Sequence, residues 1–286
     1  MMKLGIVPYL NCTPLVDGLK CPTYKAPPAL LATQAAPEDL ILAPIVQAFE
    51  EPGWHLMEGC GIGSFGPVDT VKLFFNWDTP SNVIPAKAGI QDLLKTLDPR
   101  FRGDDNIAHG NDDLRIYLDT ESKTSVNLLK VLLQYRWEQD LREIEFKSYH
   151  YSASSLPLWE GARGRGTALL LIGDKAWQQP TSQPSIDLGE AWTEWTGKPF
   201  VWACWMSRSE TTVNHFKNIL CEQLQYNLEH LDLLAKKYPH NDCPDLLKYW
   251  RLLKYELGAP QKEAVALFQK YWGTLNQQRT RPLEWI

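Results

Sequence analysis

The sequence predicts an α/β protein of two lobes with a ligand cleft between them. Two observations carry that prediction. Apolar strand candidates end in polar turns and run directly into helices at three places, and the chain crosses out near Arg115 and back near Pro199. The carboxyl end of a strand beside a helix start is where open α/β sheets bind anionic ligands.

Leu4-Gly5-Ile6-Val7 is the first strand, and VPYLNCTPL at 7–15 is the join that follows it. Pro8, Asn11 and Thr13 make the turn. Pro14 falls where a helix can begin, since proline is tolerated at the first helical position. Residues 24–50 hold a helix around Pro28 to Gln34, a strand from Leu40 to Pro44 and a helix from Ile45. Trp54 to Gly63 leads into GIGSFGPVDTV at 61–71. Its glycines let backbone approach a ligand, and Ser64 and Thr70 offer hydroxyls. The segment lacks the Gly-Lys-Ser/Thr ending of a phosphate loop and the spacing of a dinucleotide fingerprint. Thr70 to Phe75 is a further strand candidate.

Arg115 to Leu118 alternate as a strand does, and Asp119 to Ser122 form a polar turn. Val126, Leu128, Leu129, Val131, Leu132 and Leu133 then give a helix with one broad apolar face. Ser122, Thr124 and Ser125 crowd its start, where hydroxyls and unpaired backbone N–H groups either cap the helix or hold a carboxylate. Residues 144–151 read as a strand and GARGRG at 161–166 as a flexible turn. ALLLIGDKA at 168–176 is a buried-type strand ending in Gly173-Asp174 before a helix, and Asp174 reads equally well as that helix's N-cap. PFVWACWM at 199–206 is the strand that crosses back. The last third is helical, over about 210–237, 242–257 and 260–276, with Gly258-Ala259-Pro260 parting the last two helices. These crossings place 1–76 and 200–286 in lobe one and 113–199 in lobe two.

The chain has 286 residues, 44% of them hydrophobic, enough for a large core or two α/β lobes. A net charge of −5 without a long basic run argues against nucleic acid as a partner. There is no run of about 18 apolar residues to span a membrane. MMKLGIVPYL at the start has neither the apolar core nor the cleavage site of a signal peptide, so a cytoplasmic location is expected. The six cysteines are scattered, which favours free thiols over a disulfide framework or a zinc site. Cys12 lies inside the first join with no histidine near it in sequence, and reads as a packing residue. Most of the 12 tryptophans fall in 177–205 and 250–285, as fillers of the core and of the lobe interface.

One tract carries a signature of DNA symmetry. VIPAKAGIQ at 83–91 can be written GTC-ATC-CCC-GCG-AAA-GCG-GGG-ATC-CAG. The reverse complement of that string encodes Leu-Asp-Pro-Arg-Phe-Arg-Gly-Asp-Asp, which is residues 97–105. The two peptides are compatible with the arms of one inverted repeat translated in frame. Residues 77–112 are therefore expected to be an inserted surface loop, with Lys87, Arg100, Arg102 and His109 as accidental charges rather than a site. Removing about 79–110 is expected to leave a folded protein, because loop length changes closure entropy only slowly. Thermal melts of the full and shortened chains check this, and insolubility of the shortened chain would show that the tract holds core or a subunit contact.

Six segments in register resemble one family, the chorismate dehydratases of the futalosine route to menaquinone. They are VPYLN with Pro14-Leu15, GIGSFGPVDTV, LDTESKTSVNLLKVLL, LLLIGDKA, DLGEAWTEWTGKPFVWACW at 187–205 and YWRLLKYELG at 249–258. Two positions depart from the pattern. Lys123 stands where arginine is expected, which loses the planar fork suited to a carboxylate. Lys198 interrupts a segment where an apolar residue is usual.

The resemblance implies a type 2 periplasmic-binding-protein fold used as an enzyme, closing by a hinge over its ligand. It implies a cofactor-independent hydro-lyase that binds no metal and takes chorismate, a small molecule, as its substrate. Asn11 is assigned to polar contact at the reacting ring, as the catalytic residue. Tyr9 is assigned to substrate binding, Ser64 to one carboxylate, and Thr124 with Ser125 to the other. Asp174 orients groups at the edge of lobe two. No side chain stands out as a general base. Two other readings share the fold. One is a non-catalytic solute-binding protein, which normally carries a secretion signal. The other is the dihydroxynaphthoate synthase of the same pathway, for which a different first motif and a catalytic histidine are expected.

Overall fold

The computed structural model describes residues 2–75, 114–119, 121–149, 167–180, 183–238, 243 and 245–286. The 77–112 tract and the GARGRG turn lie outside the described residues.

Two sheets form the framework. The first is seven-stranded. Its strands are β1 (Leu4–Ile6), β2 (Thr23–Lys25), β3 (Leu40–Pro44), β4 (His55–Ser64), β10 (Phe200–Ser207), β11 (Leu253–Leu257) and β12 (Glu284–Trp285). They run in the order β11-β4-β10-β3-β1-β2, with β12 also on β4. β1 is parallel to both neighbours, and β10 is antiparallel to β3 and β4. The second sheet has the order β7-β6-β8-β5-β9. It is built from β5 (Val71–Phe75), β6 (Leu114–Asp119), β7 (Ile144–Tyr149), β8 (Thr167–Ile172) and β9 (Ser185–Asp187). β6 is parallel to β7 and β8, and β5 is antiparallel to β8 and β9. Every residue of β3 and of β8 is buried, as expected of interior strands covered on both faces.

The helices follow the strands closely. α1 (Thr13–Val16), α2 (Pro28–Gln34) and α3 (Val46–Glu50) come first. α4 (Lys123–Val131) continues into a π-helical turn at Leu132–Arg136. α5 (Leu188–Thr196) ends on Gly197, whose φ of 66° is the left-handed cap that glycine adopts freely. α6 (Glu210–Glu229), α7 (Leu231–Lys237), α8 (Leu246–Leu252) and α9 (Ala259–Leu275) complete lobe one.

Three expectations need correction. Residues 253–257 are not the end of a helix but strand β11, paired antiparallel with β4. Its burial alternates, with Leu253, Tyr255 and Leu257 inside and Lys254 and Glu256 outside, the period of two that a strand requires. The helix expected over 210–237 is two helices that meet at His230. The lobe boundary also moves. β5 was placed in lobe one with 1–76, yet it pairs between β8 and β9 in the second sheet. The chain therefore crosses out between Ser64 and Val71, well before Arg115.

The core is continuous across the return crossing. Trp192 of α5 packs edge-on against Phe200 of β10 and Phe268 of α9, with ring centroids 5.3 and 5.9 Å apart. Trp192, Trp205 and Trp250 are among the largest fully buried side chains, so these tryptophans do fill core and lobe interface. Lys198, one of the two departures from the family pattern, forms an exposed ion pair with Glu263 at 2.9 Å.

Candidate active site between the two sheets

The loops that leave β1, β6 and β8 at their carboxyl ends hold most of the sequence-predicted site residues. After β1, Leu10–Cys12 form a turn of 3-10 helix before α1. Two residues of the C-terminal segment fix this turn from behind. Trp250 Nε1 donates to the Leu10 carbonyl at 2.9 Å, and the Tyr255 hydroxyl donates to the Asn11 carbonyl at 2.9 Å. The Asn11 backbone is thus anchored, while its side-chain Oδ1 is a buried atom with no hydrogen-bond partner among the described residues. A buried amide oxygen without a partner is uncommon enough to call for an explanation, and a ligand donor supplies one. α1 itself is only four residues long and has no side-chain cap, so it offers little dipole for an anion.

Cys12 takes the role expected of it. Its thiol contacts the carbonyls of Val7 and Tyr9 at 3.0 Å each. Burial pushes its pKa up to about 12, so at neutral pH it stays protonated and is no nucleophile.

The start of α4 is capped in the way its sequence allows. The Ser122 hydroxyl accepts from the Ser125 backbone N–H at 3.4 Å, and the Ser125 hydroxyl reaches Ser122 Oγ at 3.2 Å. Thr124 Oγ1, fully buried, accepts from the Val46 N–H at 3.4 Å. Two helix starts, α3 of lobe one and α4 of lobe two, therefore converge at Thr124. Lys123 does not join them as an anion ligand. It pairs with Glu50 at 2.6 Å and reaches Gln47 Oε1 at 3.4 Å, bracing the lobes instead.

Ser64 ends β4 and is fully buried, its Oγ accepting from Trp202 Nε1 at 3.1 Å. The hydroxyl lies under the first turn of α5, where a Cβ added to Gly189 would come within 2.9 Å of Ser64 Oγ. Asp174 sits in the first turn of the 3-10 helix Gly173–Gln178, whose N-cap is Ile172, so the capping reading of Asp174 fails. Burial raises the phenols of Tyr9 and Tyr249, and the negative charge of Asp174 adds to both.

Tyr9 is the assigned residue whose partner was least foreseen. Its hydroxyl donates to the carboxylate of Glu121 in lobe two. Glu121 also pairs with Lys175 at 2.9 Å, and Lys175 pairs with the buried Asp119 at 2.8 Å. Burial raises the Asp119 carboxyl against the pull of Lys175, and Lys175 is raised because its two carboxylates outweigh its own burial. Behind this group, Thr70 Oγ1 and Tyr249 Oη lie 3.1 Å apart, both buried. Trp177 stands edge-on to Tyr249, with centroids 4.7 Å apart, and donates to Asp69 Oδ2 at 3.1 Å.

The outward crossing is held by one carboxylate. Asp187 is buried, and its oxygens accept from the backbone N–H groups of Val68, Asp69, Gly189 and Glu190 at 2.7 to 3.1 Å. It was missed as a site residue, although Asp187 followed by Glu190 is the spacing of a helix start. Glu121 lies one residue before Ser122 inside a matched segment, but nothing local in the sequence names Tyr9 as its partner. Among the described residues, no cluster of His, Cys, Asp and Glu is placed to hold a metal ion, and no helix is long and apolar enough to cross a membrane. The described histidines lie elsewhere, His55 beside Glu284, His215 beside Phe216 and His230 stacked on Tyr226.

A family model described as menaquinone biosynthesis matches residues 2–273. Among solved structures, the alkanesulfonate-binding protein SsuA of Xanthomonas axonopodis pv. citri, bound to MOPS, is similar at 15% identity and a TM-score of 0.60. That match covers 99% of this chain and 95% of that one. Protein AF1704 of Archaeoglobus fulgidus is similar at 12% identity and a TM-score of 0.59, covering 96% of each chain. The periplasmic aliphatic sulphonate binding protein SsuA of Escherichia coli is similar at 13% identity and a TM-score of 0.57, covering 96% of this chain and 86% of its own. At these identities the likeness speaks for the fold alone: a two-lobed, periplasmic-binding-protein-like α/β fold.

Proposed function

We propose that this chain, which belongs to the menaquinone biosynthesis family, is the chorismate dehydratase of that route, forming 3-[(1-carboxyvinyl)oxy]benzoate and water. The observation that carries the reading is the turn at Asn11. It lies in the strongest family match, its backbone is clamped by Trp250 and Tyr255, and its side-chain oxygen is buried without a partner among the described residues.

The chemistry needs little from the protein beyond position and polarity. The ring proton beside the enolpyruvyl ether is acidified through the diene, because the carbanion delocalises to the ring carboxylate. Loss of the neighbouring hydroxyl then aromatises the ring. The Asn11 carboxamide contacts the reacting ring, and donors near Ser64 and at the α4 start hold the two carboxylates. No described histidine is at hand as a base, and the enolpyruvyl carboxylate of the substrate is a base already in place.

Incubating the purified protein with chorismate, without added metal, nucleotide or flavin, is expected to yield an aromatic product that has lost one water. An ultraviolet scan and product mass spectrum check it. Tight binding without conversion would instead favour a solute-binding protein.

Thr124→Val combined with Ser125→Ala is expected to weaken chorismate binding about tenfold or more and to lower stability by about 1–3 kcal/mol, because the buried Val46 N–H loses its acceptor. Ser122, the N-cap, is untouched by this change. Measuring the dissociation constant and the melting temperature on one sample separates binding from capping. A falling melting temperature with unchanged affinity would assign both hydroxyls to structure.

A further inference from the structure

We propose that Tyr9 and Glu121 form a latch that holds the two lobes closed over the substrate, with Glu121 as a positioning residue backed by Lys175 and Asp119. The proposal rests on the chorismate reading for its substrate but on the lobe geometry for its existence.

The two partners bridge the segments that carry the site. Tyr9 is two residues before Asn11 on the turn after β1, in lobe one. Glu121 is one residue before Ser122 and three before Thr124, on the turn after β6, in lobe two. Bringing Tyr9 to Glu121 therefore brings Asn11 toward the α4 start. Tyr9 is also seated on lobe two by its ring. Gly173 has a φ of 69°, and a Cβ there would lie 3.5 to 3.8 Å from the Tyr9 ring atoms, so the phenol rests on bare backbone.

The acceptor is held rigid. The Glu121 backbone N–H donates to Asp119 Oδ1 at 3.2 Å, and the Glu121 carboxylate is paired with Lys175 at 2.9 Å. Asp119 side-chain exposure is 1%, and that of Lys175 is 15%. These two make a fixed backing, while the Glu121 side chain is 37% exposed. Burial and the neighbouring carboxylates of Glu121, Asp119 and Asp174 push the Tyr9 phenol up, so it remains a donor at physiological pH.

Exposure distinguishes this contact from the hydrogen bond between Tyr249 and Thr70 of the outward crossing. Tyr249 and Thr70 are 3% and 2% exposed, and opening them would strand two buried hydroxyls. Glu121 has water at its side, so on opening water can replace the phenol at modest cost. The Tyr249 contact suits a pivot, and the Tyr9 contact suits a bond made and broken on each closure.

The test is a double-mutant cycle of Tyr9→Phe and Glu121→Gln, read as KM and kcat for chorismate together with the melting temperature. Tyr9→Phe keeps the ring on Gly173 and removes only the donor. Each single change is expected to raise KM about tenfold, with kcat and melting temperature changing far less, and the double variant to be no worse than either single. Effects of the two changes that multiply would overturn the latch and leave Tyr9 as a direct substrate contact. So would a melting temperature that falls while KM stays put. Small-angle scattering of the ligand-free proteins gives a second reading. Both variants are expected to be more extended than the unaltered chain, and identical profiles would also overturn the proposal. If the unaltered protein leaves chorismate unchanged, the dehydratase reading fails, while scattering still decides the latch.

Discussion

Asn11→Leu is expected to lower turnover of chorismate at least about a hundredfold, the scale on which one positioned polar group contributes to stabilising a developing charge. Leucine has nearly the shape of asparagine, so the change removes polarity and little volume. The Asn11 side-chain oxygen has no hydrogen-bond partner among the described residues, so its loss strands no donor among them. The backbone contact that fixes the turn runs from Tyr255 to the Asn11 carbonyl and survives the substitution. The melting temperature should therefore hold or rise slightly, while kcat falls. Steady-state kinetics and a thermal melt on the same preparation check both halves. Turnover within a few-fold of the unaltered protein would remove Asn11 from the chemistry.

The second large effect is on stability. Asp187→Ala is expected to destabilise the protein by about 3 kcal/mol or more, because a buried carboxylate leaves behind donors it had satisfied. Four backbone N–H groups lose their acceptor at once, those of Val68, Asp69, Gly189 and Glu190. Two of them belong to the outward crossing and two to the first turn of α5, so the loss loosens the covalent link between the lobes. Asp187→Asn should cost less. It keeps Oδ1 for Gly189 and Glu190 but turns an N–H₂ toward the Asp69 N–H. Urea unfolding of the three proteins orders them by midpoint, with the slope unchanged if only the native state is affected. An alanine variant as stable as the parent would show that water serves these amides equally well.

The local elements were legible where periodicity and turn residues agreed. The strand Leu40–Pro44 is an unbroken apolar run, and Pro28 opens its helix at the position where proline fits. The three strand-turn-helix joins were readable for the same reason, since Ser122, Gly173 and Pro14 mark their own places. Sequence also set the polar composition of the site. Asn11, Thr124 and Ser125 were assigned because they stand in hydroxyl- or amide-rich turns after apolar runs, within segments that match the family.

What required the tertiary structure is partnership between distant segments. LKYEL at 253–257 follows a helix closely and reads as its last turn, until β4 offers an edge to pair with. β5 carries no mark of its lobe, and its place was decided by the hydrogen-bonding edges that β8 and β9 offer on either side. Tyr9 and Glu121 are 112 residues apart, and Tyr255 and Asn11 are 244 apart. A side chain's period along the chain reports which face is buried, and nothing in that period says against what. Elements and donors were therefore set locally, and the choice of partner was left to packing, which alone selects among the many acceptors a hydroxyl or a strand edge could satisfy.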